Sequence, residues 1–376
     1  MATLAEKCKE GPEGIKESIF FFGLEYRLNH LIATYSKPYV ALLDGVTMGG
    51  GVGLSVHAPF RIATERTHFA MPETKIGFFP DVGGSFFLPR LDGCLGTYLA
   101  LTSEPLMGVH TLYAGIATHY LHSSSLPDLE QRLSELAFAD NASITERNNI
   151  VNATIEEFVT GLPPNEPFVF SGDLRHRIDR CFGRSTIPEI LAALETDGSE
   201  WADNTIKTIK ARSPTAVHVA LMQMRVGREW TIQHTFQREY HIAAHFMHHP
   251  DFTEGVSSLL IRKDASPPSW TPPSLEEVKA QDVKAFFQPP AGARKLEMFK
   301  TGAPDYKDYP HAFGLPSEEK LGEMVRREPF TPRGFVAAVV EEYAGKEGVK
   351  QKVIDVVERR CGRDENGYLT WVGGEW

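Results

Sequence analysis

The most regular pattern of apolar and polar positions lies between residues 39 and 91. Residues 39–43, 60–64 and 69–70 are short apolar runs, and glycine-rich or polar turns separate them. Short apolar runs bounded by turn residues are typical of buried strands. The pattern therefore predicts three strands with tight connections in this region.

A cluster of glycines follows the first predicted strand, in the segment Met48-Gly49-Gly50-Gly51. Residues 53–56 are then expected to open a helix. Glycine allows backbone N–H groups to approach a ligand closely, and a helix start favours negative charge. This turn is therefore a candidate binding element.

Helical periodicity is clearest before and after this region. Residues 12–35 carry apolar side chains at three- and four-residue steps or their multiples, which predicts an amphipathic helix. Glu25 lies beside the apolar face of that helix, either as a solvated carboxylate or as part of a pocket. Several helices are predicted over residues 126–212, and a longer one over residues 213–227.

The composition changes after residue 265. Four prolines between residues 267 and 273 predict a linker, and Ser274 with Glu277 forms a capping-box signature. Three short helices are predicted to start near Ser317, Thr331-Pro332 and Val349. We expect three segments, residues 1–125, 126–265 and 266–376, with the last as a packing or partner-docking extension.

Composition and charge narrow the class of protein. With 376 residues, of which 42% are hydrophobic, the chain can bury a large core. Its net charge of −10 argues against direct nucleic-acid binding or membrane-surface binding through bulk electrostatics. The four cysteines are widely spaced, which favours reduced thiols over a disulfide framework or a zinc site. No apolar run approaches the roughly 20 residues that span a bilayer.

Two carboxylates occur in loop-like sequence rich in apolar residues and proline. Glu73 stands in Met71-Pro72-Glu73, and Asp81 stands in Pro80-Asp81-Val82-Gly83-Gly84. Carboxylates in apolar surroundings are poor packing choices unless they have a chemical role. Both are therefore candidate catalytic residues.

Together these motifs resemble those of the crotonase (enoyl-CoA hydratase/isomerase) superfamily, and within it the 3-hydroxyisobutyryl-CoA hydrolase branch. The resemblance rests on Lys37-Pro38, the triple glycine at 49–51, and the two carboxylate motifs, and it continues more loosely to about residue 263. It implies an α/β fold, a spiral of strand–strand–helix turns followed by a helical C-terminal part.

Two positions separate hydrolase from hydratase within this resemblance. A hydratase would carry a glutamate two residues after the triple glycine, where this chain has Gly53. A hydratase would also carry a small residue where this chain has Asp81. The resemblance therefore implies a hydrolase; the alternative is that Gly53 and Asp81 mark a non-catalytic relative.

The resemblance also implies roles for individual residues. The backbone N–H of Gly50, next to Gly49, would polarise a thioester carbonyl. Glu73 would attack that carbonyl or activate a water, and Asp81 would orient the substrate hydroxyl or share proton transfer. Glu25 would contact the acyl group. Coenzyme A would be part of the acyl-CoA substrate, with no metal or redox cofactor.

One family segment is not found. Members of the superfamily carry several strands and a Phe-Cys-Ala-Gly-Gly-Asp-like segment before the helix that matches residues 12–35, and that segment supplies a first oxyanion donor. The resemblance therefore predicts either a sequence that begins at an internal methionine or a form whose first turns are missing. Loss of one such donor typically costs about 2.7–4 kcal/mol of transition-state stabilisation.

Histidines offer two further candidate sites. His241, His245 and His249 recur at four-residue steps, but the outer two would lie about 12 Å apart on a helix, too far to share one zinc ion. We expect structural or solvated histidines there. His119 is a candidate base, although a packed structural role is the expected one.

A second function of a different class follows from the same resemblance. Fungal mitochondrial ribosomes contain a small-subunit protein similar to this hydrolase. The C-terminal extension, Ser103 and Pro105 in place of family residues, and the missing donor segment favour that structural role. Retention of Glu73 and Asp81 favours the enzyme. Both functions imply a mitochondrial location. An enoyl-CoA hydratase is disfavoured by Gly53, and the oligomeric state is left open.

Overall fold

The computed structural model describes residues 1–164, 166–290, 292–293 and 295–372. In this part of the chain eight short strands form three small sheets, with the orders β1-β3-β6, β2-β4-β5 and β7-β8. The strands are β1 (Val40–Leu43), β2 (Val46–Met48), β3 (Phe60–Ala63), β4 (His68–Ala70), β5 (Leu106–Met107), β6 (His119–Tyr120), β7 (Cys361–Arg363) and β8 (Leu369–Trp371).

The first two sheets are built mainly from parallel pairs. β1 pairs with β3 with Val40 opposite Phe60, and β2 pairs with β4 with Val46 opposite His68. Parallel strands need a crossover between them, and here the glycine turn and a short helix provide it. The three predicted strands are therefore present, and the second pair of strands brings the glycine turn beside the segment that carries Glu73.

Helices make up most of the remaining structure. They are α1 (Ala2–Lys9), α2 (Pro12–Ala33), α3 (Gly50–Gly53), α4 (Gly84–Phe87), α5 (Leu95–Thr102), α6 (His110–Tyr113), α7 (Leu126–Ser134), α8 (Ile144–Glu156), α9 (Gly172–Phe182), α10 (Ile187–Asp197), α11 (Glu200–Lys210), α12 (Pro214–Val226), α13 (Ile232–His248), α14 (Pro250–Val256), α15 (Ala280–Phe286), α16 (Glu318–Arg327), α17 (Pro332–Glu342) and α18 (Val349–Arg360). Short 3₁₀ turns cover Glu73–Ile76, Leu88–Arg90, Ser123–Ser125, Gly227–Glu229 and Leu275–Glu277, and a π turn covers Ser257–Arg262.

Local sequence explains where several helices begin. Ser213 caps α12 through its hydroxyl, which accepts from the N–H of Ala216, and Pro214 occupies the first turn. Ser317 and Thr331 cap α16 and α17 in the same way. The three predicted C-terminal helices are therefore present at the expected positions.

Two sequence predictions need correction. The helix expected over residues 53–56 begins at Gly50 and ends at Gly53, because the glycines themselves adopt the helical turn. Ser274 and Glu277 bond to each other, but they flank a 3₁₀ turn, Leu275–Glu277, instead of opening an α-helix.

One large apolar core packs the strands against α2, α12 and α13. Its centre is an aromatic cluster in which the ring of Phe78 lies 5.1 Å from that of Phe22 and 4.6 Å from that of Phe79. This core includes residues from all three predicted segments, 1–125, 126–265 and the start of 266–376. The boundaries between these segments stay a prediction. Among the described residues, no helix is long and apolar enough to cross a membrane.

The last three helices form a second apolar cluster around Leu321, Phe335, Val339, Val349 and Val353. This C-terminal unit (residues 315–372, "the tail") is attached to the core by buried ion pairs. The Arg360 guanidinium lies 2.8 Å from Asp179 of α9, and the Arg175 guanidinium of α9 lies 3.2 Å from Glu318 of α16. These two charge pairs hold the tail against the core.

Candidate active site

The structure places the five predicted site residues at one cavity of about 550 Å³. Its polar lining includes the carboxylates of Glu25, Glu73 and Asp81, together with the backbone of Gly49 and Gly50. The rest is largely apolar and includes Phe21, Phe22, Met48, Pro72, Ile76, Leu259 and Leu260. A mainly apolar cavity with a few convergent polar groups is the usual form of a small-molecule site.

The glycine turn forms one wall, and its first two residues restrict side chains for different reasons. Gly49 has φ of +52°, a conformation that residues with a Cβ rarely adopt. A Cβ at Gly50 would lie 2.9 Å from Oε1 of Glu25, so a side chain there would displace that carboxylate. Gly50 is the first residue of α3, and its N–H therefore has no acceptor within the helix. A backbone donor is thus exposed beside the carboxylates.

Glu73 begins the 3₁₀ turn that follows β4 and is only 3% exposed. Its Oε2 is buried and has no hydrogen-bond partner in the described part of the chain. Burial raises the pKa of Glu73 to about 8, and the charges of Glu239 and Glu25 act in the same direction. A carboxyl group with a pKa near neutrality suits proton transfer.

Asp81 lies in the loop before α4 and accepts a hydrogen bond of 2.8 Å from the Tyr26 hydroxyl. Burial raises the pKa of Asp81 well above its usual value, and the nearby charges of Glu25, Glu73 and Glu239 raise it further. Two carboxyl groups in one cavity therefore differ in their surroundings, which is the arrangement that separates acid from base roles.

Glu25 projects from α2 towards the glycine turn and is partly buried. Burial raises its pKa as well. The position of Glu25 in the cavity lining favours the pocket interpretation over a solvated helix carboxylate.

Glu239 belongs to the same cluster of carboxyl groups, although it is not among the residues that the sequence predicts for the site. It is fully buried on α13, where its two carboxylate oxygens accept from the N–H groups of Gly83 at 2.7 Å and Ser85 at 2.9 Å. Burial raises the pKa of Glu239 to about 7. Glu239 thereby holds the loop that follows Asp81. The sequence does contain one indication of a buried role: Glu239 lies three residues after Phe236, on the apolar face of a helix.

The position that separates hydratase from hydrolase is sterically closed. A Cβ at Gly53 would lie 2.6 Å from Nδ2 of Asn29 and 2.8 Å from Cβ of Val82. A glutamate cannot enter this space unless α2 or the Asp81 loop moves. The packing around Gly53 therefore leaves no space for a carboxylate side chain at this position.

The histidines lie outside this cavity. His119 is buried, with Nε2 3.1 Å from Glu156 and Nδ1 2.9 Å from Thr118, which fits the structural role. His245 contacts the carbonyl of Gln288 at 2.9 Å. Among the described residues, no group of three or more potential ligands is arranged to hold a metal ion.

Short parallel strands, a glycine turn and a facing carboxylate cluster define an α/β protein of the crotonase fold. The chain belongs to the enoyl-CoA hydratase/isomerase family, whose sequence model matches residues 1–287. Among solved structures, a carnitinyl-CoA dehydratase from Mycobacterium thermoresistibile is similar, with a TM-score of 0.67 and 32% identity over 78% of this chain and 79% of that one.

Proteins with two different names are similar to this chain in sequence. The small ribosomal subunit protein mS47 of Neurospora crassa is 52% identical over 97% of this chain and 74% of its own length. The mitochondrial 3-hydroxyisobutyryl-CoA hydrolase of Gallus gallus is 45% identical over 72% of this chain and 68% of its own length.

Proposed function

We propose that this protein hydrolyses the thioester of a short 3-hydroxyacyl-CoA, with 3-hydroxyisobutyryl-CoA of valine catabolism as the substrate. The observation that carries the proposal is Glu73, a buried carboxylate with one unpartnered oxygen in the cavity that Gly49 and Gly50 border. Similarity to mitochondrial hydrolases of that name supports the choice of substrate and a mitochondrial location.

In the proposed reaction, the thioester carbonyl oxygen accepts a hydrogen bond from the Gly50 N–H. This donor stabilises the negative charge that develops on that oxygen when the carbonyl carbon is attacked. Ionised Glu73 either attacks the carbon or takes a proton from a water that attacks it. In both routes the C–S bond breaks, the sulfur of coenzyme A receives a proton, and water supplies the second oxygen of the released acid.

Asp81 is assigned to substrate orientation and proton donation. Burial and the neighbouring carboxyl groups raise its pKa and so favour its protonated form, in which it can donate to the 3-hydroxyl group or to the leaving sulfur. Glu25 and the apolar lining contact the acyl group. The chemistry needs no metal ion and no redox cofactor.

The test is release of free thiol from 3-hydroxyisobutyryl-CoA by the purified chain. We expect Glu73→Gln and Asp81→Asn each to remove the activity while the circular dichroism spectrum is retained and the melting temperature does not fall. Glu229→Gln, which changes an exposed carboxylate paired with Lys307, is the matched control and should keep the parental rate. Parental rates in both cavity variants would overturn the assignment.

We also propose a second function, association with the small subunit of the mitochondrial ribosome. The observation that favours it is the extent of similarity. The match to the mS47 protein covers 97% of this chain, whereas the match to the hydrolase covers 72% and the family model ends at residue 287. The tail is thus part of what the chain shares with the ribosomal protein.

Sucrose-gradient sedimentation of mitochondrial extracts tests this second function. The native chain should sediment with the small subunit, and a chain ending before residue 315 should lose that association. If the full chain stays at the top of the gradient in low salt, the association is rejected. Thiol release is measured on the same fractions, so the two functions are judged separately.

A further inference from the structure

A second cavity, of about 310 Å³, lies where the tail meets the core. The core contributes Arg61 of β3 and Arg90 of the 3₁₀ turn after α4. Beyond residue 287, where the family match ends, the opposite wall includes Phe313, Lys320 and Lys352. This tail cavity has no lining residue in common with the cavity that holds Glu73.

The tail cavity is positively charged in a chain whose net charge is −10. Its lining contains Arg61, Arg90, Lys320 and Lys352, and among the described lining residues the single carboxylate is Asp92. Asp92 is already paired with Lys352 at 2.5 Å. Lys320 is paired with Glu342 at 2.7 Å. Among the described residues no carboxylate pairs with Arg61 or Arg90, and these two cations leave an excess of positive charge within a confined volume.

Arg61 is the strongest sign of an anion site. It is 9% exposed, and its Nε and Nη1 donate to the backbone carbonyls of Ile116 at 2.5 Å and Ala58 at 2.6 Å. A third contact, from Nη2 to the carbonyl of Gly115, is 3.5 Å long. A guanidinium has five N–H donors, so donors remain. Within the described part of the chain, no carboxylate forms an ion pair with Arg61.

Arg90 is also without a carboxylate partner among the described residues. Its guanidinium donates to backbone carbonyls, including that of Phe86 at 2.8 Å, and lies 3.7 Å from the centre of the Phe86 ring. Burying a charge without an opposite charge is costly. Arg90 is only half-buried, so this cost falls mainly on Arg61, whose charge an anion in the cavity would stabilise.

We propose that the tail cavity binds a small phosphate monoester, with the phosphate at Arg61. Guanidinium geometry matches phosphate oxygens, which favours phosphate over other anions. Aromatic rings line the rest of the cavity: those of His311 and Phe313 are parallel within 13°, with centroids 6.4 Å apart. Apolar rings beside a cationic end favour an ester with a planar group, such as a nucleoside 5′-monophosphate.

Isothermal titration calorimetry of the full chain tests this, with inorganic phosphate, adenosine 5′-monophosphate and adenosine as probes. We expect adenosine monophosphate to bind, adenosine not to bind, and the affinity for the monophosphate to fall as salt is added. Tighter binding of the ester than of inorganic phosphate assigns the site to an ester, and equal binding assigns it to the free ion. Failure of both anions to bind at millimolar concentration would overturn the proposal.

Single-residue variants test whether the ligand binds in the tail cavity. Gly314 lines the cavity, and a Cβ there would have no heavy atom closer than 4.0 Å, so Gly314→Leu fills space without removing a charge. We expect it to weaken binding at least tenfold. Lys320→Gln removes a half-exposed cation from the rim and should weaken binding by about threefold and reduce the salt dependence.

Lys16→Gln is the control, because Lys16 is an exposed, ion-paired lysine outside the cavity. Binding that is unchanged in Gly314→Leu and Lys320→Gln would place the ligand elsewhere and reject the site. All these measurements record binding and do not depend on thioester hydrolysis. They therefore stand whether or not the proposed catalytic function is correct.

Discussion

The hydroxyl of Tyr26 donates a hydrogen bond of 2.8 Å to Asp81, across 55 residues of sequence. Tyr26 is fully buried on α2, while Asp81 lies in the loop held from the other side by Glu239 of α13. The candidate acid is therefore positioned by two helices that pack against each other. Its location does not depend on the loop alone.

Tyr26→Phe tests this link. The ring is retained, so packing changes little, but Asp81 loses its donor at that oxygen. We expect a loss of about 1 kcal/mol in the free energy of unfolding and a fall in thiol release of roughly five- to thirtyfold. Urea denaturation and the thiol assay measure the two effects. Tyr240→Phe, a half-buried tyrosine of α13, is the control; equal effects in both variants would argue against a specific role of Tyr26.

The pH dependence of hydrolysis follows from Glu73, which must be ionised to act. Because its pKa is raised to about 8, we expect kcat/KM to rise with pH and level off above about pH 8. Glu239→Gln removes a neighbouring negative charge and should move the midpoint to lower pH. A profile that is flat between pH 6 and pH 9 would contradict the assignment of Glu73.

The same ionisation should be visible in stability. The unfolded Glu73 carboxyl ionises near pH 4.5, whereas the folded one holds its proton up to about pH 8. Between these two pH values the unfolded group has lost its proton while the folded group retains it. The free energy of unfolding therefore decreases as the pH rises across that range. Glu73→Gln removes this loss, so its melting temperature should exceed that of the parent more at pH 9 than at pH 5.

Gly53 offers a steric test of the hydrolase interpretation. In Gly53→Ala the new methyl group would overlap Asn29 and Val82, and we expect a loss of about 1–3 kcal/mol in the free energy of unfolding. Gly51→Ala is the matched control, since a Cβ at Gly51 meets nothing within 4 Å. If Gly53→Ala were as stable as Gly51→Ala, the space beside Gly53 would be open and the steric argument would be wrong. Crotonyl-CoA hydration should remain undetectable in the parent and in both variants.

The buried ion cluster that attaches the tail predicts acid sensitivity. Glu318 lies 3.0 Å from Arg360 and 3.2 Å from Arg175, and the charges of Arg175, Arg359, Lys352 and Arg360 hold its pKa far below the usual 4.5 despite burial. A depressed folded pKa means that this stabilisation is present above about pH 4.5 and is lost as the pH falls further. We expect Glu318→Gln to cost about 3–5 kcal/mol at pH 7.

Thermal unfolding between pH 7 and pH 3 checks this prediction. The difference in melting temperature between the parent and Glu318→Gln should shrink as the pH falls below about 4.5, because the parent then loses the same charge. Glu319→Gln, at the neighbouring exposed position, should have little effect at any pH. A constant difference across the whole range would argue against the ion cluster.

Much of the local structure could be predicted because its causes are local. Serine and threonine caps place the starts of α12, α16 and α17, and alternation of short apolar runs with glycine places β1, β3 and β4. The helix expected after Gly53 was misplaced, because three successive glycines have no strong preference and tertiary packing decided their conformation.

In the candidate site, too, some residues could be predicted from the sequence and one could not. Glu73 and Asp81 stand out in the sequence because carboxylates are unexpected in apolar, proline-bearing segments. Glu239 did not stand out, because its role depends on two N–H groups more than 150 residues earlier in the chain, at Gly83 and Ser85. Pairings over such separations have no local signature.

By itself the sequence determined the family, the glycine turn, and the carboxylates at positions 25, 73 and 81. Only the tertiary structure decided that these carboxylates share one cavity, that Asn29 and Val82 close the space beside Gly53, and that the tail encloses Arg61 in a second cavity. The physical reason is that the burial of a side chain, and the electric field that acts on it, depend on which distant segments of the chain come into contact. The pKa of Glu73 is therefore a property of the fold, although the choice of glutamate belongs to the sequence.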